Sequence, residues 1–355
     1  MRKNRIGFAA LVTGAILVAA GAGCIASRSA PASPHDWDFS VSDAELVPNN
    51  PGVPIYRWFP DGHIAVLQDG ADQWIMFWAE FESYRSLGDA PFPEAQTVLS
   101  PATKVFGGRG GDGWDNGGSW LNSVFRLSGD HLIGFYHAED HWTPPDPGGV
   151  AWKSVAVTYS NDNGVTWAPG EQIITGWKTR PDTPEWGGAG DQCVVWDTEN
   201  ERWVCYYQEQ VENGEAQIHV AVSSDPLGSP GTWYKWDGRA FTVPGLEGKG
   251  APLPAFIGRE GGNPSVHYNT HLERWIMVYG GWDGTTYISS STDMIHWDTP
   301  RALAVSDQGG RAWYPTIIGD EGDTVAERVA NLYYADIAAD FSSRKFYKRT
   351  ITFEQ

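Results

Sequence analysis

QCVVWDTENERWVCYYQEQ, residues 192–210, is the stretch that decides the fold of this 355-residue chain. An apolar run leads into a polar turn, and a returning run that is dense in aromatic residues follows. Two short apolar runs on either side of a turn predict a β-hairpin whose strands are largely buried.

The same pattern occurs four more times along the chain. The copies are HIAVLQDGADQWIMFWAEF (63–81), SVFRLSGDHLIGFYHAE (123–139), SVHYNTHLERWIMVYGG (265–281) and TIIGDEGDTVAERVANLYYAD (316–336). Successive copies start 60, 69, 73 and 51 residues apart, a spacing that is too long for a solenoid and fits one four-stranded sheet per repeat. Five such sheets around an axis predict an all-β chain folded as a five-bladed β-propeller.

Short alternating strands follow three of these hairpins, and each ends in a Ser-x-Asp turn with a tryptophan a few residues on. The pairs are Asp162 with Trp167, Asp225 with Trp233, and Asp293 with Trp297. The first turn, SNDNGVTW, matches the Asp-box pattern S-x-D-x-G-x-T-W. Because such an aspartate accepts hydrogen bonds within its own turn, we expect these turns to be structural.

Residues 1–26 predict a signal peptide, because a basic head precedes an uncharged apolar run. Cys24 follows that run directly, which leaves a lipoprotein type of signal as the alternative. Residues 27–35 predict a flexible leader, and residues 36–355 predict a single catalytic propeller domain. The protein is therefore expected to be secreted or extracytoplasmic, or held at the cell surface by a lipid on Cys24.

Charge narrows the range of partners. The 44 acidic and 25 basic residues give a net charge of -19. A chain this acidic does not gain from counterion release on phosphate backbones, so nucleic acid and anionic membrane surfaces are excluded as partners. A membrane contact is expected only through a lipid on Cys24.

Cysteine and histidine leave two structural questions open. Cys193 and Cys205 flank the turn of the third hairpin, and they form either a disulfide, which an oxidising compartment permits, or two buried thiols. Two thiols without a neighbouring histidine do not predict a metal site. We expect no cofactor; a structural calcium on the axis, held with help from His137 and His267, is the alternative.

A propeller whose innermost strands all begin at one end of the channel gathers the residues that precede those strands. They are Asp61, Trp120, Asn122, Asp191, Glu260, Asn263 and Tyr314. The returning strands end at the same face and add His137, Glu139 and Trp282. Cleavage of a glycosidic bond needs one protonated and one ionised carboxyl group, and aromatic rings stack on sugar faces. We therefore expect a carbohydrate site at this mouth.

The segments GDQCVVWDTENERWVCYY, NPSVHYNTHLERWIMVY and SSSTDMIHW resemble the five-bladed propeller glycoside hydrolases, particularly family 43, over nearly all of residues 50–350. The Asp-box is similar to that of sialidases. The resemblance to family 43 implies that Asp61 is the general base, that Asp191 tunes a pKa and that Glu260 is the general acid. The Glu-Gly-Pro signature of that acid is interrupted here, as Glu-Gly-Gly-Asn-Pro, so Glu139 is a rival for its role.

Together these features predict a secreted, monomeric glycoside hydrolase acting on a polysaccharide or oligosaccharide, such as an arabinan or another furanoside. A sialidase-like exo-glycosidase is one alternative. It needs three arginines on a carboxylate, and no spacing selects three among Arg57, Arg109, Arg126, Arg239, Arg259 and Arg311. A non-catalytic carbohydrate-binding surface propeller is the other, and it is favoured if the carboxylates do not converge.

Overall fold

The computed structural model describes residues 36–47, 60–70, 72–97, 103–111, 113–143, 149–211 and 213–355. These residues form 24 strands and two short 3-10 helices, at Pro93–Ala95 and Pro254–Phe256. The signal peptide predicted at 1–26, including Cys24, and the leader at 27–35 lie outside the described residues. Within the described ranges, no helix has the length and hydrophobicity needed to cross a bilayer.

The described strands form five antiparallel groups in chain order, which confirms the all-β class and agrees with the five-bladed propeller. Two strands, β1 (Asp38–Val41) and β2 (Glu45–Leu46), precede the first blade. Blade 1 contains β3 (Ala65–Gln68), β4 (Trp74–Glu80), β5 (Glu82–Gly88), β6 (Gln96–Thr97) and β7 (Thr103–Phe106). Blade 2 contains β8 (Gly118–Ser128), β9 (His131–His141), β10 (Ala151–Ser160) and β11 (Glu171–Thr175).

The remaining three blades repeat this antiparallel plan. Blade 3 contains β12 (Gly187–Asp197), β13 (Arg202–Gln210), β14 (Ala216–Ser223), β15 (Tyr234–Trp236) and β16 (Phe241–Pro244). Blade 4 contains β17 (Gly261–Asn269), β18 (Arg274–Gly281), β19 (Thr286–Ser291) and β20 (Arg301–Ala304). Blade 5 contains β21 (Arg311–Ile318), β23 (Val329–Ile337) and β24 (Arg344–Glu354), and the short β22 (Val325–Ala326) pairs with β17.

Chain ends and neighbouring blades are joined by additional strand pairing. β1 and β2 both pair antiparallel with β24, so the N-terminal strand forms the outer edge of blade 5. β10 and β12 pair in parallel for two residues, with Lys153 opposite Gly188. This parallel contact links blades 2 and 3 into one continuous sheet, and it brings the start of β12 against β10.

Small polar side chains tie innermost strands of neighbouring blades together around the axis. The bonds run from Val194 N to Ser123 Oγ (2.9 Å), from Val266 N to Cys193 Sγ (3.3 Å) and from Ile64 N to Thr316 Oγ1 (3.2 Å). The last of these closes the ring between blade 5 and blade 1. Cys193 thus occupies a position that serine or threonine fills in other blades.

Cys193 and Cys205 do not form a disulfide. In the strand register Cys193 lies opposite Tyr206 while Cys205 lies opposite Val194, so the two side chains project from opposite faces of the sheet. Both thiols are buried, and burial raises the pKa of Cys193 to about 12. Of the two alternatives left open by the sequence, the buried thiols are correct.

Four of the five innermost strands carry an irregularity at the same place, close to their start. The bulged residues are Asn122, Asp191, Asn263 and Tyr314. Three of them have left-handed backbone, with φ of 51° at Asp191, 54° at Asn263 and 54° at Tyr314, which residues other than glycine seldom adopt. A bulge turns a side chain out of the regular alternation of its strand, and here it supplies the site with one residue from each of four blades.

The three Ser-x-Asp turns share one hydrogen-bonding pattern. The aspartate N–H donates to the serine hydroxyl two residues earlier in each turn, as Asp162 to Ser160 (3.3 Å) shows. Each following tryptophan donates its indole N–H to a backbone carbonyl of the same turn. These bonds satisfy polar groups of the turn itself, which accounts for its recurrence without any role in chemistry.

Candidate active site

Asp61 lies at the start of blade 1 and is held by two donors. Trp120 Nε1 donates to Asp61 Oδ2 at 3.0 Å, and Arg344 Nη1 donates to Oδ1 at 3.2 Å and to the Pro60 carbonyl at 3.0 Å. Burial raises the pKa of Asp61 above its usual value, because it outweighs the opposing effects of Arg344 and Trp120, and the charge of Glu139 adds to the rise. Asp61 is therefore suited to holding a proton.

Asp191, the bulged residue of blade 3, lies in an environment that shifts its pKa in the opposite direction. Lys153 Nζ donates to Asp191 Oδ2 at 2.7 Å. With its amide oriented to satisfy both neighbours, Gln208 donates to the same oxygen at 3.0 Å and accepts from Lys153 Nζ at 3.2 Å. Burial alone would raise the pKa of Asp191, but the charge of Lys153 and the hydrogen bond from it lower that pKa below its usual value. Asp191 is therefore ionised.

Glu139 is enclosed by two imidazoles. His137 Nε2 lies 3.3 Å from Glu139 Oε1, and His141 Nε2 lies 2.7 Å from Oε2. Burial would raise the pKa of Glu139, yet the hydrogen bonds from both histidines lower it below its usual value. Its side chain is 9% exposed, against 18% for Asp61 and 23% for Asp191, so Glu139 is the least open of the three.

Glycines allow the strands that carry these groups to approach closely. A Cβ at Gly190 would lie 2.4 Å from His137 Nδ1. At Gly188, where φ is +82°, it would lie 2.1 Å from the Lys153 carbonyl oxygen. The GGAG run before Asp191 is thus needed to bring β12 against the two strands of blade 2.

Tyr314 lies near both Asp61 and Asp191. The Arg344 guanidinium carbon lies 4.9 Å from the centre of its ring. Burial raises the pKa of Tyr314, and the charges of both Asp61 and Asp191 raise it further. Both carboxylates therefore lie in the neighbourhood of this phenol.

Trp120 and Asn122 support Asp61 from blade 2. Trp120 is 4% exposed, and its ring meets that of His137 edge-on with centroids 4.8 Å apart. Asn122 Oδ1 would lie only 2.7 Å from a Cβ at Gly62, directly after Asp61. Trp120 is thus a buried support for the site rather than an open stacking surface.

Asn263 flanks the Asp191 cluster from blade 4. It is buried, and its Oδ1 accepts no hydrogen bond from the described residues. A Cβ on the preceding Gly262 would lie 2.1 Å from Gln208 Oε1, so this backbone adjoins the amide that contacts Asp191. The bulge that presents a carboxylate in blade 3 therefore presents an amide in blade 4.

Glu260 and Trp282 lie apart from these contacts. Glu260 is exposed, and within the described ranges its carboxylate has no hydrogen bond or ion pair. Its backbone carbonyl accepts from Trp282 N at 3.2 Å. Trp282 packs edge-on against Trp313, at 4.8 Å between centroids, and Trp313 contacts Tyr314 at 5.9 Å. Trp282 thus belongs to a neighbouring cleft on the same face.

Three residues of the cluster were not singled out by the sequence: Lys153, Gln208 and Arg344. Lys153 had a usable signal, since it is a lone charge inside the apolar strand AWKSVAV. Gln208 had a weaker one, as a polar residue directly after an aromatic run. Arg344 had none, because the basic residues around it in SRKFYKRT look alike in sequence.

The structure assigns partners to some of the residues named for the alternatives. Arg109 pairs with Asp115 at 2.8 Å and Arg126 pairs with Asp69 at 3.0 Å, while Arg57 lies outside the described residues. Among the described residues no group of three or more His, Cys, Asp or Glu side chains is placed to hold a metal ion. The axial calcium stays a prediction.

Comparison with known proteins identifies the fold. No family model and no curated protein matches the chain. Among solved structures, a family 117 glycoside hydrolase from the marine bacterium Zobellia galactanivorans has a TM-score of 0.54 at 11% identity, covering 89% of this chain and 90% of that one. The protein BT0996, solved as an RGII complex, has a TM-score of 0.53 at 13% identity, with coverage of 87% and 92%. The chain is therefore similar in fold, over nearly its whole length, to solved structures that include a glycoside hydrolase.

Proposed function

We propose that this protein is a glycoside hydrolase in which Asp61 and Asp191 are the reacting carboxyl groups. The observation that carries the proposal is the opposite direction of the pKa shifts of these two carboxyl groups, both of which lie near Tyr314. Burial raises the pKa of Asp61, whereas Lys153 lowers the pKa of Asp191 in spite of its burial. A pair of carboxyl groups whose environments separate their pKa values is the arrangement of an acid and a base.

In this mechanism Asp61 donates its proton to the glycosidic oxygen as the bond to the anomeric carbon breaks. Asp191 is the ionised partner, which takes a proton from the attacking water or attacks the anomeric carbon itself. This gives Asp61 the role of acid, whereas the resemblance to family 43 implies a base there. The burial of Asp61 and the nearby charge of Glu139 both raise the pKa of Asp61, which supports the role of acid rather than base.

The surrounding groups act by positioning. Arg344 and Trp120 orient the two oxygens of Asp61, and Lys153 fixes Oδ2 of Asp191. Asp191 Oδ1 accepts no hydrogen bond from the described residues, which makes it the available oxygen. Glu139, enclosed by its histidines, holds His137 in place rather than contacting substrate.

We further propose that the substrate is a polysaccharide or oligosaccharide and that the enzyme acts outside the cytoplasm as a monomer. The solved structures of similar fold support the carbohydrate class. The furanoside preference rests on the resemblance to family 43, and export rests on the N-terminal sequence.

The test is a screen of the purified protein against arabinans, xylans, fructans and bacterial wall glycans, with release of reducing ends as the measurement. Asp61→Asn and Asp191→Asn are each expected to lower turnover by about 10²–10⁴-fold, the usual contribution of acid–base catalysis. Unchanged activity in both variants contradicts the assignment. Loss of activity in Glu260→Gln, with Asp61→Asn still active, would transfer the acid role to Glu260. Binding without turnover of any glycan favours the non-catalytic alternative.

A further inference from the structure

A second cleft lies beside the carboxylates, between blades 4 and 5. Its volume is about 190 Å³. Trp282, Asp283, Arg311 and Phe341 line it with their side chains, and small residues at 309–310 and 338–339 complete the wall. The cleft is therefore open to a ligand group larger than a water molecule.

Arg311 is the distinctive group of this cleft. Its guanidinium carbon lies 4.2 Å from the centre of the Trp313 ring and 5.2 Å from that of Phe341. It is half-buried, and among the half-buried arginines of the described ranges it alone forms no hydrogen bond or ion pair. Such arginines elsewhere have oxygen partners, as Arg180 has Asp140 at 3.0 Å. In a chain with net charge -19, an arginine left unpaired in a cleft is available to an external anion.

Asp283, the carboxylate of the same cleft, is already engaged. Its Oδ1 accepts the Thr285 N–H at 2.9 Å, and its Oδ2 accepts the Tyr287 hydroxyl. No ion pair joins Asp283 to Arg311 in the described part of the chain. Arg311 thus has no salt bridge to the carboxylate that shares its cleft.

A chain of ring contacts connects the cleft to the catalytic carboxylates. Trp313, which Arg311 covers, meets Tyr314 with centroids 5.9 Å apart. Tyr314 lies against Arg344, which pairs with Asp61 at 3.2 Å. Trp313, Tyr314 and Arg344 thus connect the wall of the cleft to Asp61.

We propose that the Arg311 cleft is a subsite for an anionic sugar, carrying either a uronate carboxylate or a sulfate ester, within the substrate that Asp61 and Asp191 cleave. This specificity rests on the proposed glycosidase function, although binding at the cleft does not require turnover. The planar guanidinium offers two parallel N–H donors that match a carboxylate or sulfate. Trp282 and Phe341 supply apolar ring surface for the sugar. The overall negative charge does not prevent such binding, since charges beyond about 8 Å are screened at physiological ionic strength.

The test is isothermal titration of the full chain with three small probes: methyl glucuronide, glucose 6-sulfate and methyl glucoside. The wild-type protein is expected to bind at least one anionic probe about tenfold or more tightly than methyl glucoside. Preference for the glucuronide identifies a uronate subsite, and preference for the sulfate identifies a sulfate-ester subsite. Equal affinity for all three probes overturns the proposal.

Two variants assign the preference to Arg311. Arg311→Gln is expected to abolish the preference for the anionic probe while binding of methyl glucoside is unchanged. Arg311→Lys, which keeps the charge without the planar fork, is expected to retain part of it. An anionic preference that survives in Arg311→Gln contradicts the proposal, and the Lys variant decides the matter if the Gln variant does not fold.

The Asp61→Asn variant separates this inference from the proposed function. The anionic preference is expected to persist in Asp61→Asn, because the two sites share no residue. A failed glycan screen combined with a retained preference supports the subsite while removing the glycosidase. Activity on glycans without any anionic preference supports the glycosidase and removes the subsite.

Discussion

The backbone N–H of Asp191 donates a hydrogen bond to His137 Nδ1 at 2.9 Å. The ring nitrogen that accepts this bond carries no proton, so a neutral His137 has its proton on Nε2 and donates it to Glu139. The imidazole thereby links the buried Glu139 to the backbone of Asp191. Through this imidazole, Glu139 helps to fix the position of Asp191, the residue that we propose contacts substrate.

Replacing Arg344 by glutamine is expected to change the pH profile. Arg344 lowers the pKa of Asp61, so its loss raises that pKa further and keeps the acid protonated to higher pH. The alkaline limb of the kcat/KM profile should move to higher pH, with a lower maximal rate because Asp61 loses a positioning bond. Arg349→Gln, on the outer part of the same strand, is the matched control and should leave the limb in place.

Replacing Glu139 by glutamine is expected to move the same limb in the opposite direction. The negative charge of Glu139 raises the pKa of Asp61, so its removal lets Asp61 lose its proton at lower pH. Loosening of His137 should also reduce kcat by about 10- to 100-fold. If the alkaline limbs of both variants coincide with that of the wild type, Asp61 is not the titrating acid.

Lys153→Met tests the base. Asp191 is ionised because Lys153 lowers its pKa, and activity is lost when falling pH protonates it. Without the lysine the pKa of Asp191 rises, so the acidic limb should move to higher pH while the alkaline limb stays. Lys348→Met, which removes a partner of Glu94 away from the mouth, is the comparison. An unmoved acidic limb in Lys153→Met would assign the base to another group.

Much of the fold was predictable from sequence, and the reason lies in the hairpins. Each copy combines buried strands with a polar turn, so local pattern and tertiary position agree. The outer strands were mostly missed: β6, β15 and β20 are two to four residues long, too short for a period to show. The parallel pairing of β10 with β12 could not be predicted either, because no feature of the nearby sequence indicates that Lys153 lies opposite Gly188.

The site was only partly predictable. Asp61, Asp191 and His137 could be named because they precede or end repeated strands. Arg344 could not, since it reaches Asp61 across 283 positions of sequence and its basic neighbours look the same. The directions of the pKa values were also hidden, because they depend on burial and on partners that meet only in the folded ring.

Gly190→Ala should disable the site without any change in charge. The added Cβ would lie 2.4 Å from His137 Nδ1, so β12 must move away and Asp191 with it. We expect at least about a 10²-fold loss of kcat/KM, since misplacement by about 1 Å has that effect. Gly113→Ala, whose Cβ would be 3.3 Å from a carboxylate oxygen of Asp115, is the control and should keep near-normal activity. Equal activity of the two variants would contradict the role given to this close approach.

The dependence of stability on pH should report on His267. This histidine is fully buried, and burial lowers its pKa to about 3, whereas in the unfolded chain it is about 6.5. Between these values the unfolded state binds a proton that the native state does not, so the free energy of unfolding falls as pH falls, by about 1.4 kcal/mol per pH unit.

Urea unfolding at several pH values measures that slope. His267→Leu is expected to make it shallower by the contribution of one proton, whatever the stability of the variant at pH 7. His131→Leu changes an exposed residue at the start of β9 and should leave the slope as it is. A slope in His267→Leu equal to the wild-type slope would show that this ring is already protonated, or solvated, in the native protein.

The recurring bulge of the innermost strands has a consequence for how this scaffold can change. Asn122, Asp191, Asn263 and Tyr314 each project from a ladder whose hydrogen bonds resume on both sides of them. A substitution at one of these four bulge positions replaces an amide, a carboxyl group or a phenol at the mouth. The strand pairing on either side of the position is kept. The reactive groups of this ring can therefore be changed one blade at a time by single substitutions. The contacts between the blades need not change with them.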